Sequence, residues 1–139
     1  MPTQTDEKPS PPRIYPSFRC RDAEAMIAFL HAAFGFRETF AHRQDGVVEH
    51  AQLAFEDGII MLGQDRPDAF SELVGRSGPP AGQTVYIAVE DPDSLCARAA
   101  AAGAEIVAPL SDKSYGSREF VARDPEGRIW CFGTYRPGV

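Results

Sequence analysis

Long hydrophobic runs are missing from this chain. No apolar stretch approaches the roughly 18–20 residues that a membrane-spanning helix needs. Met1 to Pro12 is polar and proline-rich, with no apolar core of the kind a secretory leader carries. A cytoplasmic protein with no membrane role is expected, with residues 1–12 as a disordered tail. Positive charge is also in short supply. Lys and Arg number 14 against 20 Asp and Glu, for a net charge of −6. Nucleic-acid binders show a basic stripe, and here the arginines are scattered among acids, so no nucleic-acid partner is expected. A small organic ligand, neutral or cationic, suits this charge better. Cysteine is sparse too. Cys20, Cys96 and Cys131 are odd in number and widely spaced, which argues against both a disulfide framework and a zinc site. All three are expected as reduced thiols serving as small hydrophobes.

What is present is a repeat. Arg19-Cys20-Arg21-Asp22 leads into an amphipathic stretch ending at Gly35. Ala88-Val89-Glu90-Asp91 leads into a similar stretch ending at Gly103. Cys20 and Val89 occupy the same place in the two copies, 69 positions apart. Two copies of one small unit commonly build a site where they face each other.

Each copy reads as β-α-β-β-β. In the first, Ile14 to Cys20 alternates as a strand does. Asp22 is a good N-cap, and Ala23, Met26, Ile27, Leu30 and Phe34 follow at helical spacing. Phe36 to Ala41 and Val47 to Phe55 read as strands. The Asp57-Gly58 turn joins the latter to Ile59–Leu62. Residues 64–83, rich in Gly and Pro, form a linker with a short helix at Ala69 to Val74. The second copy predicts strands at Thr84–Val89, Glu105–Ala108, Arg118–Ala122 and Arg128–Thr134. Its helix starts near Pro92, and a loop over Ser111–Ser117 centres on Tyr115-Gly116. The fold class is α+β, a single domain over 13–136. Module one is 13–63 and module two 84–136, two curved sheets each backed by a helix and together forming a cup.

Several ordered segments carry a resemblance. They are Arg21-Asp22 before a helix ending Phe34-Gly35-Phe36, then Glu49-His50-Ala51-Gln52-Leu53. In the second copy they are Ala101-Ala102-Gly103-Ala104-Glu105, Tyr115-Gly116 and Asp124-Pro125-Glu126-Gly127-Arg128-Ile129-Trp130-Cys131-Phe132. With these the chain resembles the vicinal oxygen chelate superfamily of glyoxalase I, extradiol dioxygenases and bleomycin-resistance proteins. Its last strand is similar to the Trp-x-Phe of the PhnB-like subgroup. The resemblance implies the tandem βαβββ fold and a homodimer, with cups inside one chain or across its two-fold axis. In metal-using relatives four side chains, typically His, Glu or Gln, converge on one divalent ion. Carried over by motif, those corners fall at Tyr15, Gln52, Thr84 and Cys131. A phenol, an amide, a hydroxyl and a thiol suit a hard divalent ion poorly, and one thiolate does not make a zinc site. No metal and no other cofactor is expected.

Parity along the strands places further residues in the cup. His50 shares a face with Gln52 and is the candidate proton carrier, with Glu49 expected on the opposite side. Tyr15, Ser17 and Arg19 share a face, as do Thr84 and Tyr86. Trp130 and Phe132 have the other parity and are expected in the core. Tyr115 and Arg118, in the longer loop, are candidate ligand contacts. Three functions fit. One is a metal-independent binding protein for a small molecule, sequestering a toxic or antibiotic-like compound. One is a metal-dependent lyase, isomerase or dioxygenase using His50. The last is a scaffold with a vestigial pocket.

Overall fold

A computed structural model describes residues 10–78 and 81–138. The expected disorder of the tail falls mostly on residues outside this range. Residues 10–12 are irregular chain.

Two four-stranded sheets carry the fold. The first contains β1 (Ser17–Cys20), β2 (Arg37–Gln44), β3 (Val47–Phe55) and β4 (Gly58–Gln64), in the order β1-β4-β3-β2. The second contains β5 (Val85–Ala88), β6 (Glu105–Asp112), β7 (Arg118–Arg123) and β8 (Ile129–Gly133), in the order β5-β8-β7-β6. In each sheet the first strand pairs parallel to the last and the rest is antiparallel. The repeat in the sequence is therefore a repeat of topology.

Helix α1 (Ala23–Phe29) starts where Asp22 accepts a hydrogen bond from the Ala25 amide at 3.1 Å. It continues into one wider π-helical turn, Leu30–Phe34. The helical spacing alone does not foretell that turn. It keeps Leu30, Ala33 and Phe34 all buried, and Arg98 from the other module donates to the His31 and Ala32 carbonyls at 2.9 Å. Gly35 ends it at φ 86°, a left-handed conformation that glycine adopts without strain. Helix α2 (Ala69–Val74) opens on a capping box between Asp68 and Ser71. Helix α3 (Pro92–Ala101) is capped by Asp91, with Pro92 in its first turn.

The two modules share one core. Phe34 of module one lies 5.6 Å from Trp130 and 4.8 Å from Phe132 of module two, ring centre to ring centre. Phe36 and Phe18 reach Trp130 at 5.8 and 5.7 Å. A polar bridge runs beside this cluster. Glu126 is 7% exposed and accepts hydrogen bonds from the Arg21 and Asp22 amides at 2.7 and 3.0 Å. The turn of module two thus caps the entry to the helix of module one.

Several expected boundaries move. Strands β1 and β5 are shorter than the alternation predicts, and β6 runs on to Asp112. β6 pairs with β7 through two register shifts, so it absorbs part of the expected loop. Only a tight turn, with Gly116 donating to the Lys113 carbonyl at 3.0 Å, remains.

Candidate functional site

A cleft of about 1170 Å³ opens where β1 and β4 of the first sheet come beside β5 and β8 of the second. Module one lends Ser17, Arg19, His50 and Met61, and module two lends Thr84, Tyr86 and Ile129. Helix α2 and the linker close one side with Phe70, Val74 and Ser77. The wall is pinned to β1 by charge. Arg19 grips both carboxylate oxygens of Asp68 at 2.8 Å and lies 5.0 Å over the Phe70 ring. That bidentate pair, with the Ser71 amide, holds the Asp68 carboxyl well below the usual carboxylate range.

The pairing register reorders the four family corners. One row across the first sheet is Ser17, Met61 and Gln52, and the matching row of the second is Tyr86, Cys131 and Val121. The mate of Cys131 on the last strand is therefore Met61, and Gln52 on β3 is the mate of Val121. Gly63 and Gly133, each two residues past Met61 and Cys131, carried this signal in the sequence. Thr84 and Cys131 do come together. The Thr84 hydroxyl donates to the Ile129 carbonyl at 2.9 Å and lies 3.3 Å from the Cys131 sulfur. Tyr15 precedes β1, and its hydroxyl donates to the Pro12 carbonyl. It does not line the cleft. A thioether replacing the amide suits a hard divalent ion even less. Among the described residues no three His, Cys, Asp or Glu side chains are grouped to hold a metal.

His50 lines the cleft, and its Nε2 lies 3.1 Å from Gln52 Nε2. Glu49 does not face the opposite side as strict alternation requires. His42 pairs with His50 and Arg43 with Val48, which leaves Glu49 as an extra, bulged residue. The bulge turns Glu49 into the same cleft. Its carboxylate already has partners, Arg66 and His42, each at 3.4 Å.

Tyr115 and Arg118 stand away from the cleft walls. Arg118 binds both carboxylate oxygens of Asp93 at 2.7 and 3.1 Å and Asp112 at 3.2 Å. It ties the start of α3 to the end of β6. Tyr115 donates to Glu119 at 2.9 Å. The sequence does not mark Phe70, Val74, Ser77 or Arg128 as cleft residues. Arg128 follows the Asp-Pro-Glu-Gly turn and reads as the first residue of the last strand. In the fold its guanidinium lies 5.1 Å over Phe18, 3.4 Å from Ser77 and 3.7 Å from Glu126, at the base of the cleft.

Burial separates the thiols. Desolvation pushes the Cys20 thiol up to about 12 and also raises that of Cys96, which lies near Asp93. Only the thiolate alkylates. Iodoacetamide at pH 8 is expected to leave Cys20 unmodified in the native protein, by intact-mass and peptide mapping. Cys131, half-buried and outside the cleft lining, is expected to react. Native labelling of Cys20 at the Cys131 rate would contradict the packing.

Comparison with known proteins agrees with this architecture. The profile described as "Glyoxalase/Bleomycin resistance protein/Dioxygenase superfamily" matches residues 15–132. An uncharacterized protein of Mycobacterium bovis is 32% identical over 128 residues, covering 88% of this chain and 82% of that one. The crystal structure of TioX from Micromonospora sp. ML1 is 31% identical with a TM-score of 0.71. The match covers 88% of this chain and 96% of that one. The fosfomycin resistance protein FosX from Mesorhizobium loti shares the fold at 18% identity and a TM-score of 0.63, over 88% and 91% of the two chains.

Proposed function

The chain belongs to the glyoxalase/bleomycin resistance protein/dioxygenase superfamily, and from that footing we propose that it binds a small organic molecule in the cleft between its modules, without a metal. One observation carries this. At the corner that metal-using relatives fill with ligands, Thr84 and Cys131 contact each other at 3.3 Å. Groups that satisfy one another need no ion. The cleft has apolar and aromatic walls with a few hydrogen-bonding groups, the usual make-up of a small-molecule site. A cytoplasmic homodimer that sequesters a toxic or antibiotic-like compound is the finer form of the proposal.

A metal-dependent lyase, isomerase or dioxygenase is the second reading. What favours it is the bulge that brings Glu49 beside His50 in the cleft.

A thermal-shift screen of metabolites and antibiotics, run with chelator and with added Mn, Ni or Zn, separates the two. A ligand held only by the native state at 100 times its Kd stabilises by about 2.7 kcal/mol. The binding reading expects hits whose shift is unchanged by chelator. Hits that appear only with metal and vanish in His50→Ala would establish the second reading instead.

A further inference from the structure

Three of the four tyrosines in the chain gather at one place on the open side of the second sheet. Tyr115 and Tyr135 stand edge to face, with ring centres 6.3 Å apart at 81°. Tyr86, in the cleft wall, donates its hydroxyl to the Tyr135 carbonyl. Between them is Glu119, whose carboxylate accepts from the Tyr115 hydroxyl at 2.9 Å.

The arrangement is built. A Cβ on Gly133 would stand 2.6 Å from Glu119 Cγ and 2.7 Å from the Tyr86 hydroxyl. A bare α-carbon at Gly133 leaves room for both side chains there. Tyr135 is held in place by its amide, which donates to the buried Ser117 hydroxyl at 3.0 Å.

Glu119 differs from the acids around it. Asp93 and Asp112 share Arg118, Glu105 has Arg123, and Glu49 has Arg66. Among the described residues Glu119 has no cationic partner, only a phenol. The hydrogen bond to Glu119 raises the Tyr115 phenol, and desolvation raises Tyr86. Both phenols stay neutral near pH 7, so the Glu119 carboxylate stands among phenol hydroxyls in a cluster of three tyrosines. The rings keep exposed surface, at 36% for Tyr86, 62% for Tyr115 and 53% for Tyr135. A carboxylate repels an anion and wastes itself on a neutral group. Aromatic faces attract a cation within about 6 Å of the ring centre.

We propose that Tyr86, Tyr115, Tyr135 and Glu119 form a subsite for an organic cation, the ammonium or quaternary ammonium end of the molecule held in the cleft. The subsite rests on the reading of the cleft as a ligand site, because Tyr86 belongs to both. The net charge of −6 fits a cationic ligand.

The probe is choline, against 3,3-dimethylbutan-1-ol, which has its shape without its charge. Ring-labelled tyrosine NMR on the full chain reads which tyrosines respond. Choline is expected to shift Tyr86, Tyr115 and Tyr135, and the neutral alcohol to bind about tenfold more weakly or worse, as one cation–aromatic and one charge contact would give. Glu119→Gln is expected to weaken choline about tenfold, with the unliganded spectrum changed only at Tyr115 and its neighbours. Tyr115→Leu gives an independent second variant. Equal binding of choline and the alcohol, or choline binding untouched by both variants, overturns the subsite. A thermal-shift hit from the cleft that survives Glu119→Gln while choline fails overturns the subsite alone. The absence of choline binding and of every cleft ligand overturns both.

Discussion

Trp130→Ala is expected to cost about 3–5 kcal/mol of folding stability, the range for removing a large buried aromatic side chain. Trp130 is 1% exposed and is the joint at which Phe18, Phe34 and Phe36 of module one meet β8 of module two. Alanine there leaves a cavity that both modules line. It also frees a buried Asp124 carboxylate oxygen, which accepts from Trp130 Nε1 at 3.0 Å. Small domains have only about 5–15 kcal/mol in total, so a large fraction of molecules should unfold at moderate denaturant. Urea denaturation followed by circular dichroism measures this directly. Trp130→Phe keeps most of the volume and should lose less, chiefly the Asp124 hydrogen bond. A loss under about 1 kcal/mol for Trp130→Ala, which is what replacing a poorly packed side chain would give, would mean that the modules do not share a core.

Glu126→Ala should be comparably damaging, by a different route. The carboxylate is 7% exposed and is held by the Arg21 and Asp22 amides. Arg128, its side chain 13% exposed, lies 3.7 Å away and depends on it for charge. Removing one partner of a buried pair costs about 3–5 kcal/mol, because the other charge stays buried. Glu126→Gln keeps an acceptor and the volume, and should recover part of the loss. The loss should also spread to the cleft, since Ser77 in its wall donates to Glu126 at 3.3 Å and Arg128 to the Arg19 carbonyl. Hydrogen exchange of the linker amides should rise in Glu126→Ala well before global unfolding. Protection unchanged near Ser77 would show that the bridge does not steady the wall.

The repeat, the fold and the core were legible before any coordinates, for a physical reason. Helical spacing over Ala23–Phe34, alternation over Val47–Phe55 broken at Glu49 and the Asp-Gly turn are local signals. Trp130 and Phe132 show their burial by parity. The site was legible only in part, because it depends on register. A bulge at Glu49 costs one residue and no visible pattern, yet it reverses that side chain. The same blindness put Gln52 at a corner that the pairing gives to Met61. Arg118 and Tyr115 were read from a loop, but β6 runs through part of it and hands Arg118 to Asp93 and Asp112. Arg128 and Glu126 were hidden for another reason. Their partners, Arg19, Arg21 and Ser77, are far away in sequence and meet them only once the modules pack.

The proposed site keeps the two-module plan of its superfamily while two of its corner residues, Thr84 and Cys131, contact each other. Elemental analysis of the purified native protein, by mass spectrometry and without chelator, tests this most directly. No divalent metal should approach one per chain, and Thr84→Ala with Cys131→Ala should leave the content unchanged. One Mn, Ni, Fe or Zn per chain, lost in that double variant, would contradict it.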